Sequence, residues 1–322
     1  MLQVPVLFLI FNRPRTTQMV FEAIREAKPK HLYVAADGPR KNREGEAEKC
    51  QLTREIATQV DWDCEVHTLF RDENLGTRFA IEGAINWFFG QVEEGIILED
   101  DCLPSPSFFT FSEQMLAKYR DDEKVMHVGG NSYVDANGYN PGASYYFSNY
   151  AVTWGWATWR RAWQKYDGDL KGYNLQFMVS RLRKVCQSAE EFIFWRNKFH
   201  GIITGEMKTS WDYQWIFTLW AERGIAITSS VNLVSNIGIG PDATHTFESD
   251  WKYSNMPRKE LTLITHPKEQ KVNRFADKIF FEECCQGNYM PTWYMYIYYA
   301  IKNRLRPLVY KMRGHNPVLA HQ

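Results

Sequence analysis

Three carboxylates in a row, Glu99-Asp100-Asp101, follow directly on the apolar β-formers Ile96-Ile97-Leu98. Such an apolar run is a buried strand, and acids clustered at its end repel one another in a low-dielectric surrounding. A divalent cation with oxygen ligands, often shared with a phosphate group, offsets that repulsion. Cys102-Leu103-Pro104-Ser105-Pro106 then ends the element abruptly. The acids are left at a strand's C-terminal edge, where open α/β sheets bind their ligands. The competing reading is a solvated acidic turn, and the rest of the chain decides against it.

A sheet must hold those acids, and the alternation over residues 4–128 supplies one. Residues 4–11 form a continuous apolar run of strand length, broken by Asn12-Arg13-Pro14. A helix to about residue 27 follows, with Thr16 or Thr17 as its cap. A second strand, residues 31–36, ends in Asp37-Gly38-Pro39-Arg40, and a third, residues 64–70, ends in Arg71-Asp72. Helices read over residues 45–60, 77–89 and 107–119; the second places Phe79, Ala80, Ala84, Trp87 and Phe88 on its apolar side. The acidic strand is the fourth and residues 124–128 the fifth. Strands alternating with helices predict a mostly parallel, doubly wound α/β sheet flanked by helices. Asn12-Arg13, Asp37, Arg71-Asp72 and the acidic triplet then arrive at one edge of that sheet, which describes a binding crevice.

Downstream the pattern loosens. Residues 137–148, rich in Gly, Asn, Tyr and Pro, read as a loop, and residues 154–163 carry four tryptophans. Residues 171–199 are mainly helical, Trp211-Asp212-Tyr213-Gln214-Trp215 opens another helix with Ser210 or Asp212 as its cap, and residues 226–228 are a last short strand. A small-residue loop carrying His245 follows. From Cys284 onward there is no Asp or Glu, while Lys302, Arg304, Arg306, Lys311 and Arg313 alternate with aromatics. That pattern fits an interfacial membrane contact by a basic, aromatic helix, or a helix packed on the domain with a solvated basic edge. The expected organisation is a binding and catalytic domain over residues 1–250 and an extension over residues 251–322.

Composition sets bounds. Lys+Arg and Asp+Glu both number 38, so net charge argues against a nucleic-acid partner. The six cysteines form no Cys-x-x-Cys pair and no zinc-motif spacing, and read as free thiols of a reducing cytoplasm. The first apolar run is too short for a signal peptide or a membrane span. Neither a P-loop nor a Gly-x-Gly-x-x-Gly turn follows the first strand, which disfavours kinases and dehydrogenases.

Phe11-Asn12-Arg13-Pro14, Asp37-Gly38, Leu98-Glu99-Asp100-Asp101 and Trp211-Asp212-x-x-Trp215, in that order, resemble the GT-A nucleotide-sugar glycosyltransferases. The likeness is to the inverting N-acetylglucosaminyltransferase I type and to bacterial glycosyltransferases of polysaccharide clusters. It spans roughly residues 4–246 and leaves the tail uncovered. The resemblance implies a GT-A, Rossmann-like fold and transfer of a sugar from a nucleotide-diphosphate sugar, a UDP-sugar foremost, to a glycan or lipid-linked glycan. It implies Asp101 as ligand of Mn²⁺ or Mg²⁺, Glu99 and Asp100 at the ribose or donor sugar, and Asp37 at the base with Asn12 and Arg13 nearby. Asp212 matches the catalytic base, although Trp-Asp-Tyr stands here where the family often has Trp-Asp-Asp.

The chemistry asks for the same groups. A leaving nucleoside diphosphate develops negative charge that a divalent metal and cations stabilise, and an incoming hydroxyl needs a general base. A single displacement would invert the anomeric centre, while spacing leaves a retaining outcome open. Plainer roles stand beside these: Asp37 as a turn former, Asp212 as a helix cap. Arg78 reaches a phosphate from a helix N-terminus or is surface charge. His245 is a second metal ligand on a closing loop or a structural imidazole. The Trp154 to Trp163 cluster stacks on acceptor sugar or packs the core. The alternatives to glycosyl transfer are a sugar-1-phosphate nucleotidyltransferase and a non-enzymatic carbohydrate-binding protein.

Overall fold

A computed structural model describes residues 1–238, 253 and 255–285. His245 and the basic tail lie outside the described residues, as does most of the loop that carries His245. Strands β1 (Val6–Ile10), β2 (His31–Ala36), β3 (Glu65–Phe70) and β4 (Glu94–Glu99) lie side by side in parallel, in the order β3-β2-β1-β4. Every residue of β1 is buried, as an all-apolar strand must be when helices cover both of its faces. Leu32, Val34 and Ala36 of β2 join a core with Val20, Phe21 and Ile24 of α1 (Pro14–Ala27) and Ile56 of α2 (Glu46–Ala57). Tyr33, on the opposite face, meets Trp87 and Phe88 of α3 (Thr77–Phe89) edge-on.

Two details of these helices differ from expectation. Helix α1 starts at Pro14, so Thr16 and Thr17 lie inside its first turn and Arg13 occupies the cap position. In α3 the buried stripe is Ile81, Ala84, Ile85, Phe88 and Phe89, while Phe79 is exposed and Arg78 buried. Arg78 tolerates burial because Glu82 and Asp169 neutralise it.

Beyond β4 come β5 (Cys102–Pro104), α4 (Pro106–Lys118), β6 (Val125–Gly129), α5 (Tyr133–Ala136), β7 (Tyr145–Ser148), β8 (Trp156–Trp159) and α6 (Arg160–Trp163). Three longer helices follow, α7 (Leu175–Val185), α8 (Ala189–Ile203) and α9 (Asp212–Glu222), then β9 (Ile225–Ser229), β10 (Val234–Asn236) and α10 (Arg274–Phe280). The sheet continues β4-β8-β6-β9-β7, with β6 parallel to β9, β8 antiparallel to both β4 and β6, and β7 antiparallel to β9. The expected mostly parallel sheet flanked by helices is therefore present. Its two opposing strands, β7 and β8, were not legible in the sequence: each has four residues, all buried, so neither shows the alternation that marks a strand. Trp156, Trp159 and Trp163 are core residues, and Trp156 and Trp163 pack around Trp215 of α9.

The compact unit that holds the sheet runs from Met1 to Phe280; the π-helix Phe281–Cys285 belongs to a second unit. Within the first unit, residues 255–280 are tied back to the sheet region: Lys259 N donates to Asn232 O, and Asn273 N donates to Phe147 O. Cys50, Cys64, Cys102 and Cys186 are free thiols. Among the described residues no helix is long and apolar enough to cross a membrane.

Helix α10 is fastened by one buried carboxylate. Asp277 accepts from Ser148 Oγ at 2.6 Å and Asn149 Nδ2 at 2.7 Å. Burial nevertheless outweighs these donors and pushes its pKa up to about 6. A carboxyl raised on folding stabilises the fold below its unfolded pKa, and that contribution is lost as pH rises through about 6. Asp277→Asn does not titrate, so its stability relative to wild type should increase by roughly 2 kcal/mol between pH 4 and pH 7. Urea unfolding at the two pH values measures this, and a pH-independent difference would contradict it.

Candidate functional site

The order β3-β2-β1-β4 reverses direction between β1 and β4, and a crevice opens just outside the C-terminal ends of these strands. Its volume is about 460 Å³, within the range of small-molecule sites. Four consecutive strand ends feed it: Phe11 and Arg13 after β1, Asp37 and Arg40 after β2, Arg71 and Asn74 after β3, and Glu99, the last residue of β4, with Asp100 and Asp101 after it. Trp154, Thr209, Asn236 and Gly238 complete the wall, with Ala80, Ile81 and Ala84 of α3 forming an apolar side.

The carboxylates are packed as their sequence requires. Asp100 accepts the Phe11 N–H at 3.0 Å, which couples the end of β4 to the end of β1. Arg13 Nη1 lies 2.5 Å from Asp101 Oδ2 and 3.6 Å from Asp100 Oδ1. One guanidinium thus serves two acids, and the third adds to the imbalance. Burial, reinforced by Asp101, pushes Asp100 up to about 7 despite Arg13 and the Phe11 N–H. Burial, together with Asp101, Asp100 and Asp212, holds Glu99 well above the usual carboxylate range. Burial opposes the charge on Arg13, but Asp100 and Asp101 outweigh it and its pKa is raised. Asp100 and Asp101, sharing one guanidinium and short of positive charge, offer carboxylate oxygens that suit a hard divalent cation.

A glycine keeps Asp101 in place from the other side. Ile237 N donates to Asp101 O at 2.8 Å as the chain leaves β10. A Cβ on Gly238 would run into the Asp101 carboxylate. The Gly-x-Gly spacing at Gly238 and Gly240 was the available signal, read in sequence only as a small-residue loop.

Asp37 and the 74–76 turn interlock. Both Asp37 oxygens accept the Leu75 N–H, at 3.0 and 3.1 Å, and Oδ2 also accepts the Gly76 N–H at 3.1 Å. Asn74 Nδ2 returns a bond to Gly38 O at 2.8 Å. Gly76 has φ of 80°, a conformation glycine adopts without strain. Asp37 therefore both lines the crevice and shapes its wall. Next to it Arg71 contributes a guanidinium that burial pushes down, with Asp37 as the charge that opposes this. Arg71 entered the sequence reading only as a strand-end residue.

Asn12 and Arg78 are not brought to the crevice wall. Asn12 Nδ2 donates to Glu46 Oε1 at 2.9 Å, and Glu46 is also clasped by Arg40. Arg78 turns away to Glu82 at 2.8 Å and Asp169 at 2.7 Å. Its influence is indirect, since Tyr166 links Glu82 at 2.6 Å to Trp211 O at 3.1 Å, the residue before Asp212. Asp212 is the first residue of α9, and the preceding Trp211 caps without a side-chain bond. Burial raises the Asp212 pKa against nearby backbone N–H groups and Lys198. Its charge is felt at Glu99, which joins this helix start to the acidic strand end.

No protein-family model and no curated protein matches the chain. Solved structures similar to it include UDP-glucose pyrophosphorylase complexed with UDP-glucose, at 10% identity over 71% of this chain and 90% of that one, TM-score 0.35. HddC from Yersinia pseudotuberculosis is 12% identical over 39% of this chain, TM-score 0.26, and the match covers 58% of HddC. For 4-diphosphocytidyl-2C-methyl-D-erythritol synthase from Anaerococcus prevotii the values are 8% identity, 62% and 99% coverage and TM-score 0.32. Likenesses at this level leave the site to be argued from its own geometry.

Removing Asp37 should loosen one crevice wall. Asp37→Ala leaves the Leu75 and Gly76 N–H groups without their acceptor, at a cost of about 1–3 kcal/mol. Amide exchange at those two residues should accelerate well beyond that of α3, which follows them. Unchanged exchange at both would show that the carboxylate does not hold the turn.

Proposed function

We propose that the chain is a divalent-cation-dependent glycosyltransferase that moves a sugar from a nucleotide-diphosphate sugar to a hydroxyl of a glycan or lipid-linked glycan. The observation that carries this reading is the meeting of Glu99, Asp100 and Asp101 with Arg13 and Arg71 around one strand-end crevice; Asp212 lies outside its lining, near enough for its charge to be felt at Glu99.

Asp101 and Asp100 are the residues to hold the cation, Mn²⁺ or Mg²⁺. When bound, that ion supplies charge neutralisation for the diphosphate as it leaves. The side chains do the rest. Arg71 presents a guanidinium whose charge is incompletely compensated, suited to a phosphate oxygen. Arg13, at the neighbouring strand end, would be a second guanidinium for the diphosphate if a cation held Asp101. Trp154 offers a flat face at the crevice rim for a sugar ring. Asp212 accepts the proton of the acceptor hydroxyl as its oxygen bonds to the anomeric carbon and the diphosphate departs with the electron pair. A carboxylate with a raised pKa is better matched to that transfer than an ordinary one. A base on α9 and diphosphate-binding groups at the strand ends are separate elements, as a single displacement with inversion would use them.

A sugar-1-phosphate nucleotidyltransferase is the second reading. Its nucleophile is an already ionised phosphate and needs no base, so Asp212 weighs toward a hydroxyl acceptor. Asn12-Arg13-Pro14 also stands where a Gly-rich phosphate loop would be expected.

Calorimetry with UDP, GDP and dTDP, with and without Mn²⁺, tests the binding half of the proposal. One nucleotide should bind in a cation-dependent way, and Asp101→Asn should weaken it by at least about tenfold. Asp212→Asn should leave nucleotide affinity intact while lowering kcat by about 10²–10⁴. Cation-independent behaviour of every nucleotide would move the carbohydrate-binding reading to the front. Turnover of a sugar 1-phosphate with a nucleoside triphosphate, unaffected by Asp212→Asn, would establish the nucleotidyltransferase.

Arg13 gives a separate test. Arg13→Gln removes the cation that competes for Asp101, so Mn²⁺ alone should bind more tightly than to wild type, while the cation-free variant should melt at a lower temperature. Weaker Mn²⁺ binding by the variant would show that Arg13 supports the ion rather than standing in for it.

A further inference from the structure

The opposite end of the sheet carries a different donor set. Strands β2 and β3 are parallel and in register, with His31 opposite Glu65 and Tyr33 opposite His67. Side chains alternate across a strand, so His31, Tyr33, Glu65 and His67 share one face. One donor atom from each of His31, Glu65 and His67 lies within 4.8 Å of the others. His31 Nδ1 is 3.3 Å and His67 Nε2 3.9 Å from the same oxygen, Glu65 Oε2.

From these contacts we infer that His31, Glu65 and His67 form a binding site for a divalent transition-metal ion of the zinc class, separate from the crevice. Donors about 2.0–2.1 Å from a tetrahedral zinc lie roughly 3.3 Å from each other, so the His31 to Glu65 separation already fits and His67 needs only a small inward turn. The scaffold limits that turn. Tyr33 stacks on the His67 ring at 4.6 Å and 17°, and Trp87 and Phe88 hold Tyr33 from behind. All three ligands stand on strands, where register rather than loop conformation sets their spacing.

The chemistry separates this site from the crevice. Two imidazoles and one carboxylate suit zinc, cobalt, nickel or copper, whereas the all-carboxylate cluster after β4 suits magnesium or manganese. His31 starts β2 and Asp37 follows its end, which puts about 20 Å between the two sites. The fourth position of the ion is left to solvent, since the three side chains are 39%, 72% and 38% exposed. Because β3 is the edge strand of the sheet, a bound ion would tie that edge to β2.

The test is Zn²⁺ titration of the full chain after chelator treatment, followed by calorimetry and by the visible absorption of Co²⁺ as a substitute. Wild type and Asp101→Asn should both bind one equivalent at micromolar affinity with four-coordinate Co²⁺ absorption. His67→Ala and Glu65→Gln should each weaken it more than about tenfold, and His31→Ala/His67→Ala should abolish the absorption. Thermal melting without metal checks that the double variant folds; if it does not, the exposed Glu65→Gln decides. Equal Zn²⁺ affinity in wild type and the deciding variant, or no binding to wild type tighter than millimolar, would overturn the site.

Discussion

Electrostatic repulsion among Glu99, Asp100 and Asp101 is the constraint on which the crevice depends. These acids end a strand whose Ile96, Ile97 and Leu98 are fully buried, so the backbone cannot move them into water without dismantling the core. Arg13 offsets part of the repulsion from the neighbouring strand end, and the Phe11 N–H offsets a little more. Burial, reinforced by the repulsion that remains, raises the pKa values of Asp100 and Glu99. A cation placed among acids held in this condition would relieve a strain that folding imposed. The same packing that gives the sheet its stability therefore prepares the site.

The surrounding elements act as restraints on that centre. Gly238 leaves room for the Asp101 carboxylate, and Asp37 gathers the N–H groups of the 74–76 turn so that Arg71 and Asn74 line one wall. Arg78, buried on α3, works through Glu82 and Tyr166 on the carbonyl of Trp211. The start of α9 is thereby tied to α3, and Asp212 inherits its position from that chain of contacts. Charged residues in this region thus do two different jobs. Some present charge to the crevice, and others are consumed in fixing the loops that do so.

The tryptophans show a similar division. Trp156, Trp159 and Trp163 satisfy the core, with Trp159 Nε1 donating to Leu116 O and Trp163 Nε1 to Asn86 Oδ1, whereas Trp154 lies at the crevice. Four indoles in ten residues carry no marker of which will face a ligand. The outcome depends on β8, whose antiparallel insertion between β4 and β6 buries the stretch that follows Trp154.

The sequence by itself determined the first four strands, their helices and the edge at which Arg13, Asp37, Arg71 and the acidic triplet meet. Apolar runs of strand length alternating with amphipathic helices admit little besides a parallel sheet, and the residue after each run must then stand at its C-terminal edge. Tertiary structure alone decided what each polar side chain does there. Asn12 and Arg78 stood beside Arg13 as candidates in sequence, yet Glu46 draws Asn12 away, and Glu82 together with the distant Asp169 draws Arg78 away. Strands β7 and β8 were likewise settled by neighbours, since short strands buried on both faces have no periodicity of their own. Local pattern reports which groups a chain can place at an edge. Partners far apart in sequence decide which of them remain available for a ligand.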